Sequence, residues 1–124
     1  MSKRILIVDD EPNIFISLEF LMMREGHEVH VARDGEAGLV AVRDQRPDLV
    51  VLDVMMPKLD GFSVLASIRS DPALAQTRVL MLTAKDREAE CETELDLGAN
   101  AYMTKPFSPR ELVDKVKELL AATD

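Results

Sequence analysis

Two apolar stretches of this chain end abruptly in carboxylates, and those carboxylates are the residues best placed to do chemistry. Residues 49–52 are four branched apolar residues in a row, typical of a strand buried on both faces, and the run stops at Asp53. Residues 4–8 form a second apolar run, which stops at Asp9 and Asp10. A charge at the end of a buried strand costs several kcal/mol unless it is solvated, paired or bound to a metal. The pattern predicts a site, although an aspartate that only caps the next loop is the alternative for Asp53 alone.

A threonine and a lysine follow two further strand-like stretches in the same way. Thr83 comes directly after the apolar residues 79–82, and Lys105 follows the short segment 101–103. Three carboxylates brought within a few ångströms repel one another, so they favour a hard divalent cation, and Mg²⁺ fits. An ammonium and a hydroxyl beside that cation suit the oxygens of a phosphoryl group, with Asp53 as the nucleophile. This chemistry requires the strand ends to meet.

The periodicity along the chain predicts a fold in which they do meet. Strand patterns at residues 4–8, 28–32, 49–52, 79–82 and 101–103 alternate with helical spacing. Five helices are predicted. The first begins at Pro12 and is stopped by Gly26, the second runs from Asp34 to about Asp44, and the third begins at Asp60 and stops before Asp71. The fourth covers residues 86–97, and the fifth follows the cap at Ser108. Five strands that alternate with five helices predict a doubly wound α/β fold with a parallel sheet. Ligands bind such sheets at the carboxyl ends of the strands.

Composition excludes several other classes of protein. The chain has 124 residues, which predicts a single domain over residues 1–124, and its formal charge of -8 argues against direct binding of nucleic acid. The single cysteine, Cys91, excludes an internal disulfide and favours a cytoplasmic setting. No signal peptide or membrane span is predicted. His27 and His30 flank a predicted edge strand, so we expect solvated surface histidines without a catalytic role.

Four segments of the chain resemble the receiver domains of two-component response regulators. These segments are residues 8–12 (Val-Asp-Asp-Glu-Pro), 53–61 (Asp-Val-Met-Met-Pro-Lys-Leu-Asp-Gly), 82–84 (Leu-Thr-Ala) and 98–107 (Gly-Ala-Asn-Ala-Tyr-Met-Thr-Lys-Pro-Phe). Each is weak alone, but the four occur in the family's order and spacing. The resemblance implies a flavodoxin-like receiver fold of five strands in the order 2-1-3-4-5 with five helices. One mild departure is Ala101, where the family usually has an acid.

The resemblance also implies a chemistry for the carboxylates. Asp53 would accept a phosphoryl group from the phosphohistidine of a sensor histidine kinase or a phosphotransfer protein. Mg²⁺, with Mn²⁺ as an alternative ion, would be bound directly by Asp10 and Asp53, through water by Asp9, and by the main-chain carbonyl of Met55. The domain would catalyse only its own phosphorylation and dephosphorylation, so it would be a signalling domain and not an enzyme.

Further residues would bind the phosphoryl group and transmit the signal. The implied phosphoryl-binding and switch residues are Thr83, Ala84, Tyr102 and Lys105, and the implied structural residues are Pro57, Gly61 and Pro106, the last after a cis peptide bond. Phosphorylation would alter the face built from the fourth helix, the fifth strand and the last helix. That face would control an output domain or a downstream protein, and a phosphorylation-dependent homodimer is one form of this response. Neither membrane nor direct nucleic-acid binding is expected.

Alternative interpretations exist for single residues and for the whole chain. Thr83 could be only a strand terminus, Lys105 a solvated charge and Tyr102 a core aromatic. A phosphohydrolase with an aspartyl-phosphate intermediate usually needs an acid two residues after the nucleophile, where this chain has Met55. A flavin- or nucleotide-binding module needs a phosphate loop rich in glycine, serine and threonine, whereas this loop is acidic. A receiver kept only as a scaffold is disfavoured because no active-site residue is missing.

Overall fold

Five parallel strands form the centre of the molecule. The computed structural model describes residues 3–54, 56, 59–84 and 98–121. The strands are β1 (Arg4–Val8), β2 (Glu28–Ala32), β3 (Leu49–Asp53), β4 (Arg78–Ala84) and β5 (Ala101–Lys105). They are ordered β2-β1-β3-β4-β5 and every neighbouring pair is parallel. The predicted fold class and strand order are confirmed.

The described residues contain four α-helices. They are α1 (Pro12–Arg24), α2 (Gly35–Gln45), α3 (Gly61–Ser70) and α4 (Pro109–Ala121), and a short 3₁₀ helix, Pro72–Leu74, lies between α3 and β4. The predicted helix over residues 86–97 lies outside the described residues, so α4 is the last of the five predicted helices.

Local sequence signals account for where three of the helices begin. Asp34 and Asp60 each accept a hydrogen bond from the main-chain N–H three residues later, at 2.8 Å and 2.9 Å, and so cap α2 and α3. Ser108 caps α4 in the same way, with its Oγ 3.4 Å from the main-chain nitrogen of Glu111. These caps satisfy N–H groups that have no partner within the helix.

The last two strands are longer than the apolar runs that predict them. The ladder between β4 and β5 continues through the pairs Thr83 with Thr104 and Ala84 with Lys105. Main-chain pairing with a neighbour, and not side-chain hydrophobicity, sustains a strand at such positions. Thr83 therefore lies inside β4, and Lys105 is the final residue of β5.

Helices cover the sheet on both faces, as a doubly wound fold requires. Alternate residues of β1 point to opposite sides: Leu6 and Val8 pack into the core cluster that also contains residues of α2 and α3, whereas Ile5 and Ile7 pack with residues of α1 and α4. Both faces of the central strands are buried, which explains their continuous apolar runs. Among the described helices, none is long and apolar enough to cross a membrane.

His27 precedes β2 and His30 lies within it, and the ring of each makes a hydrogen bond. The environment of His27 leads to a prediction about how stability depends on pH. Nδ1 of His27 lies 3.3 Å from the main-chain nitrogen of Lys3, so it accepts a hydrogen bond and is unprotonated. Burial lowers the pKa of His27. The folded state therefore binds fewer protons than the unfolded state once the pH falls below about 6.5, the ordinary histidine value, and stability drops there.

We expect His27→Gln to flatten the loss of stability between about pH 7.5 and pH 5.5, a window that lies above the titration of most carboxylates. Urea unfolding at several pH values measures this. The matched control is His30→Gln, because the ring of His30 hydrogen-bonds to the exposed side chain of Glu28, at 3.0 Å. Equal slopes for the wild type and His27→Gln would contradict the prediction.

Candidate functional site

Asp53 occupies the carboxyl end of the central strand β3. Asp53 is 5% exposed, and its main chain pairs with Leu82 of β4. The next residue, Val54, donates from its main-chain nitrogen to the carbonyl of Leu82 at 3.0 Å. The main chain around Asp53 is therefore fixed on the β4 side, and its carboxylate stands at the edge of the sheet where β1 also ends.

The two aspartates after β1 differ in exposure although they are adjacent in sequence. Asp9 is fully buried, and its Oδ1 accepts a hydrogen bond from the main-chain nitrogen of Glu11 at 2.9 Å, whereas Asp10 is exposed. Burial raises the pKa of Asp9, and the hydrogen bond from Glu11 and the charge of Lys105 oppose that rise. A carboxylate as buried as that of Asp9 needs a nearby positive charge.

Asp9, Asp10 and Asp53 could hold one metal ion. Each offers a carboxylate oxygen, and these oxygens lie within 4.8 Å of one another. Mg²⁺ prefers oxygen ligands at about 2.0–2.1 Å and commonly keeps several waters, so a small adjustment brings these oxygens into range. Carboxylate is also the hard, charged donor that this ion requires. The residues present fit Mg²⁺.

Lys105 bridges the two buried carboxylates of the site. Its Nζ lies 3.2 Å from Oδ2 of Asp9 and 3.1 Å from Oδ1 of Asp53, and its side chain is 19% exposed. Burial by itself lowers the pKa of Lys105, but the neighbouring Asp53 and Asp9 outweigh burial and raise it. The ammonium therefore stays charged and partly neutralises the cluster.

The hydroxyl of Thr83 is a buried polar group for which the described residues supply no hydrogen-bond partner. Thr83 is 1% exposed, and its Oγ1 has no hydrogen-bond partner among the described residues. Buried polar atoms are almost always paired, so an orphan at a candidate site indicates a partner that arrives with a ligand. Thr83 follows Leu82, the residue that pairs with Asp53, so its main chain lies beside the end of β3.

The structure describes some of the remaining predicted site residues fully, one by its backbone alone, and two not at all. Gly61 begins α3 against the end of β3: a Cβ on Gly61 would stand 2.8 Å from Cα of Val54 and would collide with the main-chain oxygen of Asp53. Tyr102 is half-buried and packs against the core cluster on the α2 and α3 side. The Lys105–Pro106 peptide bond is cis. For Ala84 only the strand backbone is described, and Met55 and Pro57 lie outside the described residues.

One residue with extensive contacts has no counterpart among the sequence predictions. Arg69, at the end of α3, hydrogen-bonds to Gly98 and Asn100 before β5 and to Thr77 before β4. An arginine in the last turn of a helix is common because it favours the helix dipole. The sequence therefore carries no signal that separates this arginine from an ordinary surface residue.

The chain belongs to the family of response regulator receiver domains. Residues 5–117 match the family described as the response regulator receiver domain. This module is the phosphorylation-activated switch of two-component signalling, and domains of the family bind Mg²⁺ at an acidic pocket and interact with histidine kinases and output domains.

Individual relatives agree with the family match. The chain is 47% identical over 124 residues to the alkaline phosphatase synthesis transcriptional regulatory protein PhoP of Bacillus subtilis (strain 168), an alignment that covers 100% of this chain and 51% of PhoP. The chain spans about half the length of the curated relatives it matches.

Two crystal structures have the same fold. A putative response regulator from Chloroflexus aurantiacus is 36% identical with a TM-score of 0.92, covering 98% of this chain and 99% of that chain. The receiver domain of the sensor histidine kinase PA1611 from Pseudomonas aeruginosa PAO1 is 28% identical with a TM-score of 0.88, over 98% of this chain and 99% of that chain. The PA1611 domain has a magnesium ion coordinated in its active site cleft.

Proposed function

We propose that residues 1–124 form one receiver domain in which Asp53 accepts a phosphoryl group from the phosphohistidine of a sensor histidine kinase or a phosphotransfer protein. The observation that carries this proposal is the meeting of three carboxylates with one ammonium at a single sheet edge. The carboxylate oxygens of Asp9, Asp10 and Asp53 lie within 4.8 Å of one another, and Lys105 contacts two of the three residues. An oxygen nucleophile, a place for a hard cation and a fixed positive charge are what phosphoryl transfer needs.

In this mechanism a carboxylate oxygen of Asp53 attacks the phosphorus as the bond from phosphorus to the donor nitrogen breaks. The imidazole leaves with the bonding electron pair, and Asp53 becomes an acyl phosphate. The ammonium of Lys105 faces Asp53 at 3.1 Å and stabilises negative charge on the transferred group. The unpaired hydroxyl of Thr83 donates to a phosphoryl oxygen, which gives this buried group the partner it lacks among the described residues.

Mg²⁺, or Mn²⁺ in its place, would be held by Asp10 and Asp53 directly, by Asp9 through water and by the main-chain carbonyl of Met55. When bound, the ion supplies positive charge that offsets the repulsion between the carboxylates and the phosphoryl oxygens. The PA1611 receiver domain, which contains a coordinated magnesium ion, supports this proposal by similarity.

The signal leaves the site through Thr83 and Tyr102 in this proposal. Thr83 moves toward the phosphoryl group, and the half-buried ring of Tyr102 takes up the vacated space. Ala84, Pro57, Gly61 and Pro106 shape the site around them. The changed face, which contains β5 and α4, then controls an output domain, a downstream protein or a homodimer. The similarity to the transcriptional regulator PhoP favours an output of that general kind. A cytoplasmic location is also proposed, on the basis of the single cysteine.

None of the observations above favours a phosphohydrolase, a flavin-binding module or an unphosphorylated scaffold. The matched family and the relatives are signalling regulators or their receiver domains. Like them, this domain would act as a switch that catalyses only its own phosphorylation and dephosphorylation.

The test is phosphorylation by a small donor. Incubation with acetyl phosphate and Mg²⁺ should add one phosphoryl group, read by intact-protein mass spectrometry, and peptide mapping should place it on Asp53. EDTA should abolish the reaction, Mn²⁺ should restore it, and the adduct should be labile to hydroxylamine, as an acyl phosphate must be.

The matched control is Asp60→Asn, which makes the same substitution at a nearby exposed acid. Asp60 caps α3, and asparagine can serve as the cap equally well. Asp53→Asn should lose the label and Asp60→Asn should retain it. A label that persists in Asp53→Asn, or that forms equally well in EDTA, would remove the proposed nucleophile or the metal.

A further inference from the structure

A single guanidinium joins the starting ends of β4 and β5. Nη1 of Arg69 donates to the main-chain carbonyl of Thr77, directly before β4, at 2.8 Å. On the β5 side, Nε donates to the carbonyl of Gly98 at 2.8 Å and Nη2 donates to Oδ1 of Asn100 at 2.9 Å. Each of the three guanidinium nitrogens makes one of these bonds, so the position of the planar group is closely specified.

Two of the residues that accept these hydrogen bonds are themselves held close to their neighbours. Oδ1 of Asn100 also accepts from the main-chain nitrogen of Val79 at 2.8 Å, and the main-chain nitrogen of Asn100 donates to the carbonyl of Val79 at 3.0 Å. Gly98 has φ +108°, and a Cβ there would lie 3.0 Å from Cγ and from Nε of Arg69. Only glycine combines this backbone conformation with this approach. We call the group formed by Arg69, Thr77, Gly98 and Asn100 the arginine clamp.

The strands that start at the arginine clamp end at the phosphoryl-binding residues. β4 carries Thr83 and β5 ends at Lys105, whereas Asp9 and Asp10 follow β1 and Asp53 ends β3. In the described sheet β5 is an edge strand that pairs only with β4, and all five of its residues are half-exposed. Packing thus restrains β5 less than the central strands, so contacts at its two ends matter more. One end is the arginine clamp, and the other is Lys105 against Asp9 and Asp53.

We propose that Arg69 is a positioning residue for the phosphoryl-binding half of the site. By holding the starts of β4 and β5 together, it sets where Thr83 and Lys105 stand relative to Asp53. Five strand residues span about 17 Å, so Arg69 would act on Thr83 and Lys105 through the hydrogen-bonded strands and not by direct contact. This inference rests on the proposed function of Asp53.

The experiment compares the affinities for two ligands in the same protein. Mg²⁺ alone probes the carboxylates of β1 and β3, and beryllofluoride with Mg²⁺, a stable analogue of the phosphoryl group, probes Thr83 and Lys105 as well. In Arg69→Met we expect beryllofluoride to bind about 5- to 30-fold more weakly, while the affinity for Mg²⁺ changes by less than about twofold. Calorimetric titration measures both, at a temperature at which thermal melts show each variant to be folded.

The matched control is Leu74→Ala, which removes a buried side chain, 2% exposed, from the 3₁₀ helix in the same corner of the fold and leaves the arginine clamp intact. Leu74→Ala should destabilise the domain, but it should not weaken beryllofluoride binding more than Mg²⁺ binding. Arg69→Lys, which keeps the charge but not the planar fork, should restore beryllofluoride binding only in part. If Arg69→Met does not fold, Asn100→Ala, which removes one acceptor of the clamp, is judged by the same criterion.

The inference is overturned if the clamp variant binds beryllofluoride as the wild type does, if it loses Mg²⁺ binding to the same degree, or if Leu74→Ala shows the same selective loss. These outcomes can be told apart from a failure of the proposed function, because then the wild-type protein itself would neither bind beryllofluoride nor become phosphorylated at Asp53.

Discussion

Replacing Lys105 with methionine should slow phosphorylation of Asp53 by acetyl phosphate about 100-fold or more at saturating Mg²⁺, the usual cost of losing one fixed stabilising donor from a site of this kind. The reason is geometric. Nζ of Lys105 is held between Asp9 and Asp53 at 3.2 Å and 3.1 Å, where it can stabilise the charge of the transferred group without first having to be ordered. Initial rates from intact-protein mass spectrometry give the comparison.

Lys105→Met should affect metal binding and phosphorylation in opposite directions. Without the ammonium, the two buried carboxylates lack a compensating charge, so Lys105→Met should lose about 3–5 kcal/mol of stability in EDTA. Mg²⁺ should bind this variant more tightly and restore much of that stability. Lys115→Met is the control, because it removes an equal charge whose ion pair is with the exposed Glu118 on the same helix, at 3.5 Å. A Lys105→Met protein that is phosphorylated at the wild-type rate would show that the observed ion pairs do not contribute to the transfer.

Gly61→Ala should damage both the fold and the site. A methyl group at this position would collide with the main-chain oxygen of Asp53 and would lie 2.8 Å from Cα of Val54. Main-chain atoms of a buried strand cannot give way locally, so α3 or the end of β3 must move. Overpacking of this kind costs about 1–3 kcal/mol, and displacing a reacting carboxylate by about 1 Å can cost 100-fold in rate.

Gly26→Ala is the matched glycine control. Gly26 has φ +89°, and a Cβ at this position would meet nothing within 4 Å, so its substitution adds backbone strain without a collision. That strain is about 1–2 kcal/mol. Urea unfolding should therefore show both variants to be destabilised, and only Gly61→Ala should be phosphorylated slowly. Equal phosphorylation rates for the two variants would mean that the approach of α3 to Asp53 does not set the position of the nucleophile.

Local sequence signals were sufficient to predict most of the strands and helices of the fold. The apolar runs of β1 and β3, the caps at Asp34, Asp60 and Ser108, and the stop at Gly26 all depend on residues within a few positions of one another. Such signals can be read without knowing the rest of the structure. Strand order is different, because it came from the resemblance to receiver domains and not from the residues themselves. The ends of β4 and β5 were predicted too early, since pairing between the two strands extends both of them.

The sequence by itself also predicted that Asp9, Asp10, Asp53 and Lys105 meet, because parallel strands bring their carboxyl ends to one edge. Tertiary structure alone decided how they meet. It buried Asp9 completely while leaving Asp10 exposed, and it left the hydroxyl of Thr83 unpaired among the described residues. Lys105 reaches Asp9 across 96 positions of sequence. Contacts at that separation depend on the packing of whole elements, so no local pattern encodes them. The arginine clamp is the clearest case, because Arg69 looks like an ordinary helix-end cation until the strands are assembled beside it.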